Sequence, residues 1–409
     1  MWIYDEVVDG RKLSEIMNND GLNPKYLPGV PLPRNLVANP DLAESCDADI
    51  LFFVVPHQFL PATLEKMRGL VKPNAIAVSL IKGLDIGPDG PKLLSQMIHR
   101  ELGLVTDVAV LMGANIASEV ANDEYNESTA ACRNPDISRL IAELFHCHCL
   151  QIDACTDVGT VEICGALKNV IAMGGGICDA LGLGQSSKGA VLRRGIKEMS
   201  DFCKLFVGEE SFEHESLLES CSLADVIATA YGGRNRKCSQ EFAKRILAEE
   251  AKSEQVFVGP GNKQPVLIYD HTPHYVPIPN DYNQGNQDTE EAHVSSHDCK
   301  FSSNIVSPEQ AIGEQQRAAM HTAARTTSVD GPVREAYLRN MWNEIEQELL
   351  SGQKLQGLGT LDEVMICLNK LNLIEESNGG EHPQKFGFFK RIHAIARLGE
   401  SPRTLFDWT

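Results

Sequence analysis

The chain has 409 residues, 43% of them hydrophobic, and carries a formal net charge of -19 at pH 7. That length allows sizeable buried cores and predicts two or three domains, while the acidic balance, with no lysine/arginine cluster to offset it, argues against a nucleic-acid partner. Twelve cysteines scattered without a framework spacing argue for reduced thiols packed as small core residues in the cytosol rather than for a disulfide scaffold.

In chain order, the opening "MWIYDEVVDG" predicts a strand at Trp2, Ile3 and Tyr4, closed by Asp5 and Glu6, so that the first residue already sits inside an element. From there to about Asp153, apolar runs ("DADILFFVVP", "NAIAVSLIKG", "VAVLMGANIASEV", "FHCHCLQID") alternate with helical stretches such as "PATLEKMRGLV" and "GPKLLSQMIHREL". Continuous apolar strands separated by helices predict an α/β domain with a doubly wound parallel sheet. After "TDVGTVEICGALKN" the periodicity becomes helical, which predicts a mainly α second half. Its stretch "ICGALKNVIAMGGGICDALGL" carries Lys168, Asn169 and Asp179 and reads as a buried helix or helix pair, not a membrane span; no signal peptide is read before it. Between about Ser253 and Pro332 prolines and polar residues predict a long, loosely ordered insertion, after which helical patterning resumes.

Several positions have the chemistry of a site. Lys82 in "SLIKG" falls just past an apolar strand, where open α/β sheets bind ligands, although a strand-end lysine can equally be solvated. In "LMGANIASEV", Gly113 allows a tight turn, and Asn115 and Ser118 can cap the next helix or contact a ligand. Lys168 lies among residues that read as buried, so it must be paired, have a lowered pKa, or snorkel from one helix face. Asp225 and Thr229 are four apart and share a helix face, and "YGGRNRK" offers Arg234 after two glycines, a combination suited to phosphate or to an ordinary turn. For "FHCHC", a strand would send His146 and His148 to one face and Cys147 and Cys149 to the other, and no second cluster completes a tetrahedral set at familiar spacing, so no metal site is expected. Neither Gly174–Gly176 nor Gly182 and Gly184 follows a strand as a dinucleotide fingerprint requires.

Taken together, "FFVVPHQF", "SLIKG", "LMGANIASEV", "VEICGALKNV", "YGGRNRK" and "GQKLQG" resemble, in order, the NAD-dependent glycerol-3-phosphate dehydrogenases. The resemblance implies a Rossmann domain at 1–155, and a helical 6-phosphogluconate dehydrogenase-like domain for substrate and dimerisation at 156–409. It implies NAD as cofactor, dihydroxyacetone phosphate and glycerol 3-phosphate as substrates, and a cytoplasmic homodimer without nucleic-acid or membrane partners. By position it implies Lys168 as the catalytic lysine. Substrate binding falls to Lys82, Asn115, Asp225 and Thr229, with Arg234 and Asn235 as the phosphate pair. Cofactor contacts fall to Tyr4, Phe59, Ala117, Arg234, Lys354 and Gln356.

Two departures accompany it. The family's strand and Gly-x-Gly-x-x-Gly loop belong before "MWIYDE", so the Rossmann domain is expected to be N-terminally incomplete, with an unpaired hydrophobic sheet edge. The tract at about 253–332 is an insertion relative to the family. A non-catalytic relative lacking the cofactor loop is the alternative expectation.

Overall fold

The computed structural model describes residues 1–87, 90–256, 331–371 and 386–407. Contacts divide the chain into one compact unit, Met1–Glu249 with Gly331–Thr409, and a second, Glu250–Asp330, described only to Val256. Most of the expected insertion therefore lies outside the described residues. Its expected margins are helical, since one helix runs to Val256 and another begins at Gly331.

Five strands form the central sheet: β1 (Ile50–Phe53), β2 (Ile76–Ser79), β3 (Ala109–Met112), β4 (Asn126–Ala131) and β5 (Leu150–Cys155), in the order β5-β4-β3-β2-β1. β1, β2 and β3 run parallel, as the apolar runs predict. β4 corrects the all-parallel expectation: it pairs antiparallel with β3 and parallel with β5. The connection between β3 and β4 holds only the short helix α3 (Ala117–Ala121), so the chain turns back instead of making a full crossover.

Alternation along the strands fills both faces. Val78, Ala109 and Leu111 pack with Ile137 and Ile141 of α4 (Pro135–Phe145), while Ala77 packs with Leu60 and Leu64 of α1 (Leu60–Met67) and Ile98 of α2 (Leu94–Leu102). Val110 and Met112 face Val158 and Val161 of α5 (Val158–Ala180).

The N-terminal strand is a second correction. Trp2 makes an isolated parallel bridge to Asn39, supported by Ile3 N donating to Asn39 O (3.0 Å) and Asn39 N donating to Met1 O (2.8 Å), and Tyr4 belongs to no strand. These bonds hold the segment on residue 39, not on the sheet. Among the described residues β1 has β2 as its one strand neighbour, and Phe52 and Val54 beside that edge are exposed.

The helical layer is built on α5, buried from Val158 to Cys178. It is long and apolar enough to cross a membrane, yet its whole apolar window is inside protein, as a core helix requires. Around it lie α6 (Gln185–Val207), α7 (Asp225–Gly232), α8 (Arg234–Val256), α9 (Gly331–Leu350), α10 (Gln356–Lys370) and α11 (Gly387–Leu398). The glycine run in α5 serves this packing: a Cβ on Gly176 would collide with the Arg236 carbonyl oxygen and Ser239 Oγ of α8. Cysteines fill the core as expected; of those described, all but Cys147 and Cys155 are buried, and all are free thiols.

One buried carboxylate joins sheet and helical layer. Glu162 of α5 accepts from the Leu94 and Ser95 N–H groups (2.5 and 3.2 Å) and Ser95 Oγ (2.5 Å), capping α2, whose own N-cap residue Leu93 provides no side-chain bond. Burial pushes its pKa up to about 7, against the pull of those donors. Because the folded pKa exceeds the unfolded value of 4.5, its contribution is fully present below that value and is lost as pH rises through 7. Glu162→Gln keeps the cap without the charge. It is expected to remove about 3 kcal/mol of the stability change between pH 5 and pH 9 in urea unfolding, whereas identical pH slopes for both proteins would contradict this assignment.

Candidate active site

The site is built from the carboxyl ends of β1, β2 and β3 and from α5, α7, α8 and α10. Phe59 follows β1, Lys82 follows β2, and Asn115 and Ala117 follow β3, so three neighbouring parallel strands deliver them to one end of the sheet. Gly113 makes the last of these turns possible. A Cβ there would collide with Ser128 Cα and the Glu127 carbonyl oxygen, so the chain leaving β3 passes flush against β4. Asn115 Nδ2 donates to Ser128 Oγ (2.7 Å) across the same turn.

Lys168 is 4% exposed, and its Nζ donates to Asp225 Oδ1, itself on a residue 3% exposed. Thr229 Oγ1 donates to the same oxygen (3.2 Å), the contact expected of residues four apart on one helix. Lys82 Nζ stands 3.8 Å from the other oxygen, Oδ2, which is buried and has no hydrogen-bond partner among the described residues. Burial pushes the Lys168 ammonium down to about 7, and the like charge of Lys82 adds to that fall against the opposing pull of Asp225. Two lysines, far apart in sequence, thus share one carboxylate, and the more buried of them can gain or lose a proton near neutral pH.

"GQKLQG" links the other pieces. Gln353 Oε1 accepts from Arg234 Nη1 (2.7 Å), Gln356 Nε2 donates to the Lys82 carbonyl oxygen, and Gly357 N donates to Asn235 Oδ1 (2.9 Å). Asn235 Nδ2 in turn donates to Asn169 Oδ1 (2.8 Å), leaving Asn169 Nδ2 buried without a hydrogen-bond partner among the described residues. Arg234 itself is exposed, at the start of α8, where Arg236 is held by Asp179 (Nε to Oδ2, 2.6 Å).

Not every expected residue joins this group. Tyr4 is 79% exposed on the N-terminal segment bridged to Asn39, and among the described residues no side-chain hydrogen bond ties it to the other site residues. Lys354 Nζ donates to Asn343 Oδ1 and Glu346 Oε2, each at 2.8 Å. Sequence reasoning missed Asn169, Gln353 and Glu363. Glu363 accepts from the Leu84 N–H (3.2 Å) and pairs with His57 Nε2 (2.7 Å), fixing the loop that carries Lys82. Nothing local in "LDEVM" signals that contact, because its partners come from distant parts of the chain. A cavity of about 400 Å³ lined by residues such as Lys92, His99 and Arg133 lies elsewhere, and none of the candidate residues lines it.

The residues present suit the nicotinamide side of a dinucleotide: the exposed Phe59 ring and the exposed Ala117 flank the Lys82 loop at three adjacent strand ends. The unpartnered Asp225 Oδ2 and Asn169 Nδ2 mark where a further polar group can be accommodated.

Comparison with known proteins identifies the family. Residues 1–138 match the NAD-dependent glycerol-3-phosphate dehydrogenase N-terminus and residues 157–271 the C-terminus of the same family. The cytoplasmic NAD(+) glycerol-3-phosphate dehydrogenases of Rattus norvegicus and Homo sapiens are each 49% identical over 260 residues, which is 63% of this chain and 74% of theirs. The structure of the Saccharomyces cerevisiae glycerol-3-phosphate dehydrogenase superposes with a TM-score of 0.66 at 30% identity, covering 100% of this chain and 89% of that one. A Dunaliella salina enzyme structure gives 0.71 at 30% identity; the match covers 100% of this chain but 53% of that longer one. With this identity, this coverage and both family halves matched in order, the chain belongs to the NAD-dependent glycerol-3-phosphate dehydrogenase family.

Proposed function

We propose that this chain interconverts dihydroxyacetone phosphate and glycerol 3-phosphate with NAD at the Lys168–Asp225 site, and that Lys168 is the proton-transfer group. The observation that carries the reading is the buried Lys168 ammonium, held by Asp225 and pushed down to about 7 beside a second lysine. A group of that pKa can act as an acid in one direction and a base in the other near neutral pH. The family match supports the enzyme over a non-catalytic relative, for which no finding speaks.

When bound, NADH supplies the hydride that reduces a ketone carbon. The chain's own residues do the rest. As negative charge grows on the ketone oxygen, the Lys168 Nζ ammonium stabilises it and then gives up its proton; in the reverse direction the neutral amine takes the proton of the alcohol. Lys82 adds a second positive charge at the same oxygen. Asp225, fixed by Thr229, keeps both lysines in place, and Asn115 orients the substrate from the β3 turn. Arg234, with the backbone N–H groups at the start of α8 and neighbouring Asn235, binds the phosphate and so turns remote binding into orientation at the reacting carbon. Phe59, Ala117, Gln356 and Lys354 would hold the cofactor, with Gln356 tied to the Lys82 carbonyl and Lys354 to Glu346.

The two domains follow the chain: 1–155 is the dinucleotide-binding domain and also lends Lys82 and Asn115 to the substrate, while 156–409 serves the substrate and the pairing of two copies into a homodimer and also lends Lys354 and Gln356 to the cofactor. The relatives named as cytoplasmic support the same compartment for this chain. The test is NADH oxidation by the full chain. Dihydroxyacetone phosphate should be used at least a hundredfold better than unphosphorylated dihydroxyacetone, in keeping with a charge-assisted phosphate contact of roughly 3 kcal/mol. Equal use of both ketones would remove the phosphate role from Arg234.

A further inference from the structure

"FHCHC" is the motif that the oxidoreductase site leaves unused, and the structure removes the strand geometry that argued against a metal there. The segment is not a strand: α4 ends at Phe145, and β5 begins only at Leu150. Between them is a tight turn closed by Cys147 N donating to Leu150 O (2.9 Å) and Leu150 N donating to Cys147 O (3.3 Å). A turn does not send alternate side chains to opposite faces. The Cys147 and Cys149 sulfurs and a His148 ring nitrogen all lie within 4.8 Å of one another, and the two sulfurs are 3.5 Å apart.

The neighbouring turn brings a carboxylate beside Cys149. Asp123, held at φ +57° after α3, places Oδ1 3.7 Å from Cys149 Sγ. The two turns are tied together, because Asn126 N donates to Cys149 O (2.7 Å) at the start of β4. We propose that Cys147, His148 and Cys149, with the Asp123 carboxylate beside them, form a binding site for a single zinc ion.

The donor set and spacing favour that ion over other soft metals. Sulfurs each at about 2.3 Å from a tetrahedral zinc stand about 3.8 Å apart, close to the separation present; linear two-sulfur coordination of a monovalent ion would require about 4.6 Å. Two thiolates and an imidazole supply three ligands and leave a fourth position open to the neighbouring Asp123 carboxylate or to water. None of the four residues belongs to the Lys168 site. Cys147 and His148 are exposed, so an ion can enter from solvent.

The test uses the full chain, reduced, stripped with a chelator, and titrated with Zn²⁺ and with Co²⁺ as a spectroscopic stand-in. Wild type should take up one more equivalent of metal than Cys147→Ser/Cys149→Ser and show thiolate-to-cobalt absorption that the double variant lacks. His148→Ala, a change at an exposed turn position, should weaken binding at least a hundredfold, and Asp123→Asn about tenfold. Equal metal uptake by wild type and the double variant would overturn the proposal. So would a reduced protein that takes up no metal while its oxidised form is two mass units lighter, which would make Cys147 and Cys149 a disulfide-forming pair instead.

Discussion

Lys168→Ala is expected to lower turnover of dihydroxyacetone phosphate by about 10⁴-fold, because it removes at once the proton donor and the cation facing the developing negative charge. The expectation rests on uniqueness of position. Lys82 lies 3.8 Å from Asp225 Oδ2 and is only partly buried, whereas Lys168 is bonded to Oδ1 within the core. Lys82 can therefore keep Asp225 paired in the variant without replacing the proton path. Asp225 also retains the Thr229 hydroxyl, so the substitution does not leave the carboxylate wholly unpaired. Far-ultraviolet circular dichroism and cooperative unfolding should stay close to wild type while NADH oxidation disappears. Turnover within tenfold of wild type would remove Lys168 from its role.

The second large effect is expected at Arg234. Arg234→Ala should reduce kcat/KM for dihydroxyacetone phosphate by about 10²-fold and leave the slow use of dihydroxyacetone unchanged, since the second ketone has no phosphate for the guanidinium to bind. The arginine is exposed and bonded to Gln353 Oε1, a neutral acceptor it can exchange for a phosphate oxygen at little cost. Its neighbour Arg236 is tied to Asp179, so it is not available as a substitute. Loss of both activities in equal measure would place Arg234 in the architecture of the α7–α8 turn instead of in substrate binding.

What was legible in the sequence was local. Lys168 stood out because a lysine inside a run of buried-looking residues needs a reason, and the Asp225–Thr229 pair followed from helical spacing. The apolar runs gave β1 to β3 and the sheet end to which Lys82 and Asn115 belong. What was not legible depended on contacts between distant segments. The Lys82–Asp225 approach, the Gln356 bond to the Lys82 carbonyl and the Glu363 bond to the same loop have no signature in any one stretch. The reversal of β4 was missed because an apolar run carries no direction, and its pairing is set by the short connection before it. "FHCHC" was misread for a related reason: a strand period was applied to residues that form the turn ahead of the strand. Trp2 to Tyr4 has strand-like composition, but Ile3 N donates to Asn39 O and the Tyr4 carbonyl accepts from Glu6 N, so neither joins the sheet.

The most direct test of the Lys168 assignment is the pH dependence of kcat/KM for dihydroxyacetone phosphate reduction. The ammonium form is the acid in this direction, so activity should be full below the Lys168 pKa and fall as pH rises through about 7; glycerol 3-phosphate oxidation should rise over the same interval. Removing the like charge with Lys82→Met should move the limb to higher pH in the slower variant, since Lys82 is one of the causes of the low value. A wild-type limb near 7 that shifts upward in Lys82→Met is the predicted result. A limb that stays in place when Lys82 is replaced, or that persists in the residual activity of Lys168→Ala, would contradict it.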